Sequence, residues 1–322
     1  MPRAPAFWRG GGGTLLPLLL SPFGAVAAGI TARRVARPGW RAPVPVICCG
    51  NVTVGGAGKT TLALDLGRRL IARGHRVHFL SRGYGGRGRG VHRVGPADTS
   101  VEAGDEPLLL TEVAPTWTGA DRAASAHAAV EAGAEVLVLD DGLQNPSLCK
   151  DLSLLVIDGA SGFGNGRVLP AGPLREPVAA GASRSHAAVL IGPDLTDAAA
   201  DLPSGLPLLR ARLVHGPEAN ALAGRRVLAF AGIAWPDKFF TTLGEAGVVL
   251  AGRVGFPDHH PYTDAELHRL LEQAARLDAV PVTTRKDAVR LPAARRADVR
   301  VVDVAIVWDD PAAIEGLLSR LF

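Results

Sequence analysis

The residue types best able to do chemistry fall in one stretch, Gly50-Asn51-Val52-Thr53-Val54-Gly55-Gly56-Ala57-Gly58-Lys59-Thr60-Thr61. An apolar run, residues 44–49, precedes it; a helix-forming run, residues 62–73, follows and is stopped by Gly74. Strand, glycine-rich turn and helix in that order present backbone N–H groups and a helix N-terminus to a phosphate chain. From such a loop Lys59 reaches the β- and γ-phosphates, and the Thr60 hydroxyl ligates Mg²⁺. The expected phosphate contacts are Thr53, Val54, Gly55, Gly56, Ala57, Gly58, Lys59, Thr60 and Thr61. The usual pattern has a glycine where Thr53 stands, and Gly55 and Gly56 supply the flexibility instead.

A second chemical stretch is Glu135-Val136-Leu137-Val138-Leu139-Asp140-Asp141-Gly142-Leu143-Gln144. An apolar run ending in acid is how a buried parallel strand delivers a carboxylate to a Mg²⁺-nucleotide site, so Asp140 and Asp141 join Thr60 as candidate metal ligands. Another apolar run, 152–157, ends in Asp158, which reads as a turn residue. Arginines follow two further elements. Ser81-Arg82-Gly83-Tyr84-Gly85-Gly86-Arg87-Gly88-Arg89 lies after a predicted strand, 76–80, where doubly wound sheets bind ligands. Arg82, beside the strand end, is the best-placed anion clamp; Arg87 and Arg89 read equally well as solvated loop. Residues 164–177, too rich in Gly and Pro for regular structure, offer Arg175 as another anion contact.

Two positions are ambiguous from local sequence. Asp105 in Gly104-Asp105-Glu106-Pro107 is favoured as an N-cap, although a carboxylate at a helix entrance near the loop can also accept a hydroxyl proton. His259 and His260 are adjacent in a turn; they are too few for a metal site, but one is enough to partner a carboxylate.

These residues need an α/β scaffold, and the chain can build one. Its 322 residues, 47% of them hydrophobic, suffice for two domains. The net charge is +4 with a pI near 9.3, carried mostly by Arg. No interleaving of aromatic and basic residues marks a nucleic-acid partner, and no protein partner is implied. Cys48, Cys49 and Cys149 lack metal-ligand spacing; the adjacent pair reads as core, which suits a reducing compartment. The pattern predicts a membrane-associated segment and basic stretch over 1–42, a P-loop domain over 43–215 and a smaller α/β lid domain over 216–322. Strands are expected at 187–191, 226–230, 248–254, 280–284 and 299–305, with the domain boundary in the Pro- and Gly-punctuated stretch 193–217.

Between Arg9 and Arg33 there is no charged residue, and Leu15, Leu16, Leu18, Leu19, Leu20, Phe23, Val26 and Ile30 dominate. Pro17, Pro22 and the glycines at 10–13 argue against one regular spanning helix, which needs about 20 apolar residues. A cleaved signal peptide, with Arg3 and Arg9 before the apolar run, and a buried helix are alternatives. The favoured reading is a helix lying on the membrane, followed by Arg33, Arg34, Arg37 and Arg41 against anionic headgroups.

Taken in order, the phosphate loop, Ser81-Arg82-Gly83-Tyr84-Gly85, Gly104-Asp105-Glu106-Pro107, Asp140-Asp141-Gly142-Leu143-Gln144, Leu169-Pro170-Ala171-Gly172-Pro173-Leu174-Arg175-Glu176 and Phe256-Pro257-Asp258-His259 closely resemble the tetraacyldisaccharide 4'-kinase family. The resemblance extends to Lys286-Asp287-Ala288-Val289; Arg285, in place of an expected Glu, and Thr61, where many members have Pro, depart from it. It implies a P-loop NTPase-like doubly wound sheet and transfer of the ATP γ-phosphoryl to the 4'-hydroxyl of a tetraacyl glucosamine disaccharide 1-phosphate. The expected place is the cytoplasmic face of the inner membrane. Carried over, Lys59 and Thr60 bind phosphates and Mg²⁺ with Asp140 and Asp141, Asp105 is the base and His259 tunes it. Arg82, Gln144 and Arg175 are expected substrate contacts. The alternative is a membrane-associated partition or positioning ATPase, whose signature lysine would stand where this chain has Val54.

Overall fold

Aliphatic and β-branched runs too short for helices become strands buried on both faces, the pattern of a sheet covered on two sides. The computed structural model describes residues 5–9, 15–86 and 90–322. Arg3, residues 10–13, Arg87 and Arg89 lie outside them. The strands are β1 (Val46–Gly50), β2 (Val77–Ser81), β3 (His92–Arg93), β4 (Thr116–Thr118), β5 (Val136–Asp140), β6 (Leu152–Asp158), β7 (Ala187–Ile191), β8 (Leu208–His215), β9 (Arg226–Ala231), β10 (Val249–Gly255), β11 (Val280–Thr284), β12 (Arg300–Val302) and β13 (Val304–Trp308). The helices are α1 (Leu16–Val35), α2 (Lys59–Ala72), α3 (Ser100–Ala103), α4 (Asp105–Thr111), α5 (Arg122–Glu131), α6 (Val178–Ala182), α7 (Pro217–Asn220), α8 (Pro236–Glu245), α9 (Asp264–Arg276), α10 (Arg285–Ala288) and α11 (Pro311–Ser319).

Among the described residues the strands form a large sheet in the order β13-β8-β7-β6-β1-β5-β2-β4-β3 and a small one in the order β10-β9-β11-β12. In the large sheet β1 lies between β5 and β6, parallel to both, so the loop leaving β1 emerges at the sheet's centre beside the acidic end of β5. Period-two alternation divides its core. Ile47 and Cys49 face Leu62, Leu66 and Leu70 of α2, while Val46 and Cys48 face the side lined by Leu137, Leu139, Ala126 and Ala129.

The expected strand over 299–305 is in fact two. β12 closes the small sheet; after Asp303, β13 crosses to the large sheet and pairs antiparallel with β8. The stretch 193–217 likewise contains β8. The smaller unit therefore does not run to residue 322. The chain returns to the first sheet, where α11 seats Ile314 and Leu318 in the α2 core, Trp308 Nε1 donates to Asp65 (2.9 Å), and Glu315 pairs with Arg69 and Arg73. This closure joins positions about 240 residues apart and leaves no local sequence signature.

At the other end, α1 runs unbroken through Pro22 for 20 residues, contrary to the expectation that its prolines interrupt it. The segment 164–175 lies along the helix so closely that a Cβ at Gly24 would sit 2.8 Å from the Val168 carbonyl oxygen, and Arg167 donates to Ser21 Oγ (2.5 Å). Much of its remaining surface up to the last turn is apolar and exposed, including Leu16, Leu18, Leu19, Phe23, Val26 and Ile30.

Candidate active site

The phosphate end is built where β1 turns into α2. Gly58, at φ 86°, is the left-handed residue that starts the helix, a conformation side chains other than glycine's rarely adopt. Thr53 is not in that region of backbone space. It forms an antiparallel bridge to Leu174, so the position usually occupied by glycine here needs an extended residue and tolerates threonine. Val54 N–H donates to Pro173 O (2.8 Å), and Ala57 is buried in the core behind the loop. Lys59 Nζ donates to Asn51 Oδ1 (3.0 Å) and lies 3.6 Å from Asp141 Oδ2. Thr60 Oγ1 donates to Asp140 Oδ2 (2.8 Å). The other Asp140 oxygen, Oδ1, is buried with no hydrogen-bond partner among the described residues. Burial drives the Asp140 pKa up to about 7, against the pull of Lys59.

Asp141, in the left-handed region at φ 61°, turns the other way. Arg175 Nη1 donates to both its oxygens at 2.9 Å, and Lys59 and Arg175 overcome the effect of burial to hold its carboxyl below the ordinary range. Arg175 N–H also donates to Val52 O (2.6 Å), tying the Gly- and Pro-rich segment to the phosphate loop. Arg122, at the start of α5, was not foreseen. It is 2% exposed, bonds Gly119 O, and keeps a buried Nε with no partner among the described residues. Burial lowers its pKa to about 10 while the charges of Asp141 and Asp140 oppose the shift. The only sequence signal for it was its place after the helix cap Asp121.

The opposite wall brings the two sheets together. Gly104, at φ 90° and ψ 163°, is the N-cap of α4, and a Cβ there would lie 2.6 Å from Tyr84 O. Asp105 follows it as the first helical residue and makes no cap bond, so the local preference for a capping role is overturned. Its buried carboxylate instead meets His259 of the smaller unit, with Nδ1 2.7 Å from Oδ2. His259 is held in the left-handed region at φ 58° by its N–H bond to Gly232 O (3.0 Å), and its Nε2 is 3.8 Å from Asp258 Oδ2. His260 turns away and stacks on Phe256 with ring centroids 4.6 Å apart. Next to Asp105, Glu106 pairs with Lys286 (2.8 Å), and Arg285, which stands where a Glu was expected, pairs with Glu112 at the C-cap of α4 (3.1 Å). The Glu106 charge is felt at Asp140, so the two walls share one electrostatic site.

Of the expected substrate contacts, Arg82 is exposed on the rim of a cavity of about 430 Å³ that Tyr84, Glu102 and Thr118 also line. Gln144 differs from expectation. It is buried, and its amide nitrogen is committed to Asn51 O and Glu176 Oε1, both at 2.8 Å; Glu176 is in turn clamped by Arg184 (2.7 Å). Gln144 therefore props Asn51, and through it Lys59, from behind; it does not face the cleft.

A cleft with a phosphate cradle on one wall and a histidine-held carboxylate on the other can pass a phosphoryl group from a nucleotide to a hydroxyl. The molecule is a P-loop phosphotransferase. The family model described as Tetraacyldisaccharide-1-P 4'-kinase matches residues 16–322. The tetraacyldisaccharide 4'-kinase of Gluconacetobacter diazotrophicus is 60% identical over 98% of this chain and 97% of its own length. That of Rhodospirillum centenum is 57% identical over 99% and 96%. The crystal structure of LpxK from Aquifex aeolicus in complex with ATP superposes with a TM-score of 0.77 at 27% identity, covering 95% of this chain and 99% of that one. The chain belongs to the tetraacyldisaccharide 4'-kinase family. It is a kinase that phosphorylates the 4'-hydroxyl of the tetraacyldisaccharide 1-phosphate in lipid A biosynthesis, and the partition-ATPase alternative is set aside.

Proposed function

We propose that Asp105 is the general base of this reaction, with His259 orienting it, and that Lys59 and its loop bind the ATP phosphates. The observation that carries the reading is the 2.7 Å contact between Asp105, at the start of α4, and His259, in the turn after β10 of the smaller unit. The 4'-hydroxyl gives its proton to Asp105 as its oxygen bonds the γ-phosphorus, the bond to the β-phosphate oxygen breaks, and ADP leaves. A sugar hydroxyl is a weak nucleophile, so positioning by the Asp105–His259 pair and charge stabilisation by Lys59 are what the protein contributes.

Thr60 and Asp140 are the side chains for Mg²⁺, with Asp141 beside them. The orphaned, buried Asp140 Oδ1 fits this role, since a carboxyl with a pKa driven up to about 7 gains most from an adjacent cation. Mg²⁺ is commonly held by one or two carboxylates together with substrate phosphates, and it neutralises charge developing on the phosphoryl oxygens. Arg82 and Arg175 take anionic groups of nucleotide or lipid substrate. Arg175, which bonds both oxygens of Asp141, would be available to an anionic group beside that carboxylate. The exposed apolar face of α1, with Arg33 and Arg34 of its last turn and Arg37 and Arg41 after it, meets the cytoplasmic face of the inner membrane, where the acylated substrate resides.

The test is single-turnover transfer from ATP to the lipid disaccharide monophosphate in mixed micelles, read by mass as one added phosphate. Near-normal turnover by Asp105→Ala or His259→Ala rejects the base assignment. Unchanged metal dependence in Asp140→Asn rejects the metal side.

A further inference from the structure

The carboxylate of Asp105 has a second partner from the smaller unit. Arg290, in the turn after α10, is buried, with its side chain 2% exposed, and its Nε lies 3.2 Å from Asp105 Oδ2, the same oxygen that His259 Nδ1 approaches. A guanidinium this far from solvent keeps its charge at a tolerable cost only when its donors are matched to acceptors. Here they are. Nη1 donates to Gly232 O (3.0 Å) and His260 O (3.2 Å), Nη2 to Asp287 Oδ1 (3.1 Å) and Nε to Lys286 O (3.2 Å).

Those acceptors also belong to the histidine's support. Gly232 O, which Arg290 holds, receives the His259 N–H that fixes its left-handed backbone; Asp287 Oδ1 accepts from Gly232 N–H (2.7 Å) and from the Tyr262 hydroxyl (2.7 Å). One planar cation thus fixes the turn that presents His259 and contacts the carboxylate that His259 serves. It does so across the interface of the two units, since Asp105 stands on α4 of the large one.

We propose that Arg290 is the positioning residue of the phosphoryl-acceptor site: it holds the Asp105 carboxylate in register with His259, so that the base forms only when the smaller unit is seated against α4. This rests on the reading of Asp105 as base. The role needs the fork geometry of arginine, because a lysine ammonium supplies charge but cannot reach Asp105, Gly232 and Asp287 at once.

The test is a double-mutant cycle on the full-length enzyme with ATP, Mg²⁺ and the lipid disaccharide monophosphate, comparing wild type, Arg290→Met, Asp105→Ala and the double variant. Supporting partners of a reacting group commonly cost about 10–100-fold when removed. Arg290→Met is expected to lose kcat in that range with the KM for ATP unchanged, and the loss is expected to vanish in the Asp105→Ala background. Arg290→Lys, folded by its melting curve, is expected to recover part of the loss, and the same cycle is run with it if Arg290→Met does not fold. Wild-type kcat in the arginine variants, or a loss that persists in full without Asp105, overturns the inference. Near-wild-type kcat in Asp105→Ala by itself overturns the base assignment beneath it, and the two failures are told apart on the same plate.

Discussion

The two walls of the cleft are assembled differently. The phosphate wall is made by neighbours in one sheet: the loop after β1 and the end of β5, which pair in register so that Cys49 meets Asp140. The hydroxyl wall is made by strangers. Asp105 and His259 are 154 residues apart, belong to different units, and meet where Arg290 and Lys286 of the smaller unit reach Asp105 and Glu106 of α4 and Arg285 reaches Glu112 at that helix's C-cap. In the proposed mechanism, a phosphate half built within one sheet and a reacting half that spans two units separate holding the donor from activating the acceptor.

That contrast predicts unequal consequences of mutation. Asp105→Ala is expected to lower kcat by about 10²–10⁴-fold with little change in the KM for ATP, since general-base help acts in the transition state. Lys59→Ala, on the other wall, is expected to lower kcat/KM by about 10²–10³-fold and to raise the KM for ATP as well, because its charge serves bound and reacting phosphates alike. Equal KM effects in the two variants would erase the distinction between the walls.

Gln144→Ala sharpens the comparison by removing a prop from the phosphate wall. Leaving Asn51 O and Glu176 without their buried donor is expected to cost about 1–3 kcal/mol of stability, seen as a lower melting temperature. The KM for the lipid is expected to stay unchanged; a raised lipid KM would restore Gln144 to the substrate contacts. Outside the cleft, Leu19→Lys on the exposed face of α1 removes a side chain worth about 1.5–3 kcal/mol when transferred from water. Flotation with anionic vesicles is expected to weaken while activity in detergent micelles persists. Unaltered flotation would count against α1 as the membrane face.

The smallest effect concerns the docking itself. Burial pushes Glu106 up, and the Lys286 ammonium more than offsets this, leaving its pKa below the ordinary value; Lys286 is raised in return by Glu106, against the effect of its own burial. A depressed carboxyl contributes stability above its unfolded pKa, about 4.3, and loses it as pH falls through the folded value. A raised lysine contributes below its unfolded pKa, about 10.4, and loses it as pH rises through the folded one. The pair is therefore complete from mildly acid to mildly alkaline pH. Glu106→Gln is expected to cost about 1 kcal/mol at neutral pH, and the gap in melting temperature from wild type is expected to narrow as the solution is acidified below about pH 4. A gap independent of pH would show that the ion pair does not contribute to docking.

Legibility in the sequence followed the same division. The phosphate loop, the acidic end of β5 and the apolar stretch of α1 could each be read directly, because strand, turn and helix propensities and a run of leucines are properties of neighbouring residues. Asp105 could not: its neighbours favour a cap, and family resemblance, not local chemistry, paired it with His259. Arg290 carried no usable signal, and Arg122 only its place after the cap Asp121, in a chain whose positive charge is mostly arginine, since what distinguishes both is burial. Gln144 was assigned by its place in a motif, and its amide proved to point inward.

By itself, then, the sequence determined the strand, loop and helix around Lys59 and the acidic end of β5, whose parts lie within a dozen residues of one another or at the ends of adjacent strands. Tertiary structure decided the hydroxyl wall and the return of β13 and α11 to the first sheet. The physical reason is that what a carboxylate can do depends on what faces it, and what faces Asp105 is set by packing between segments more than a hundred residues apart.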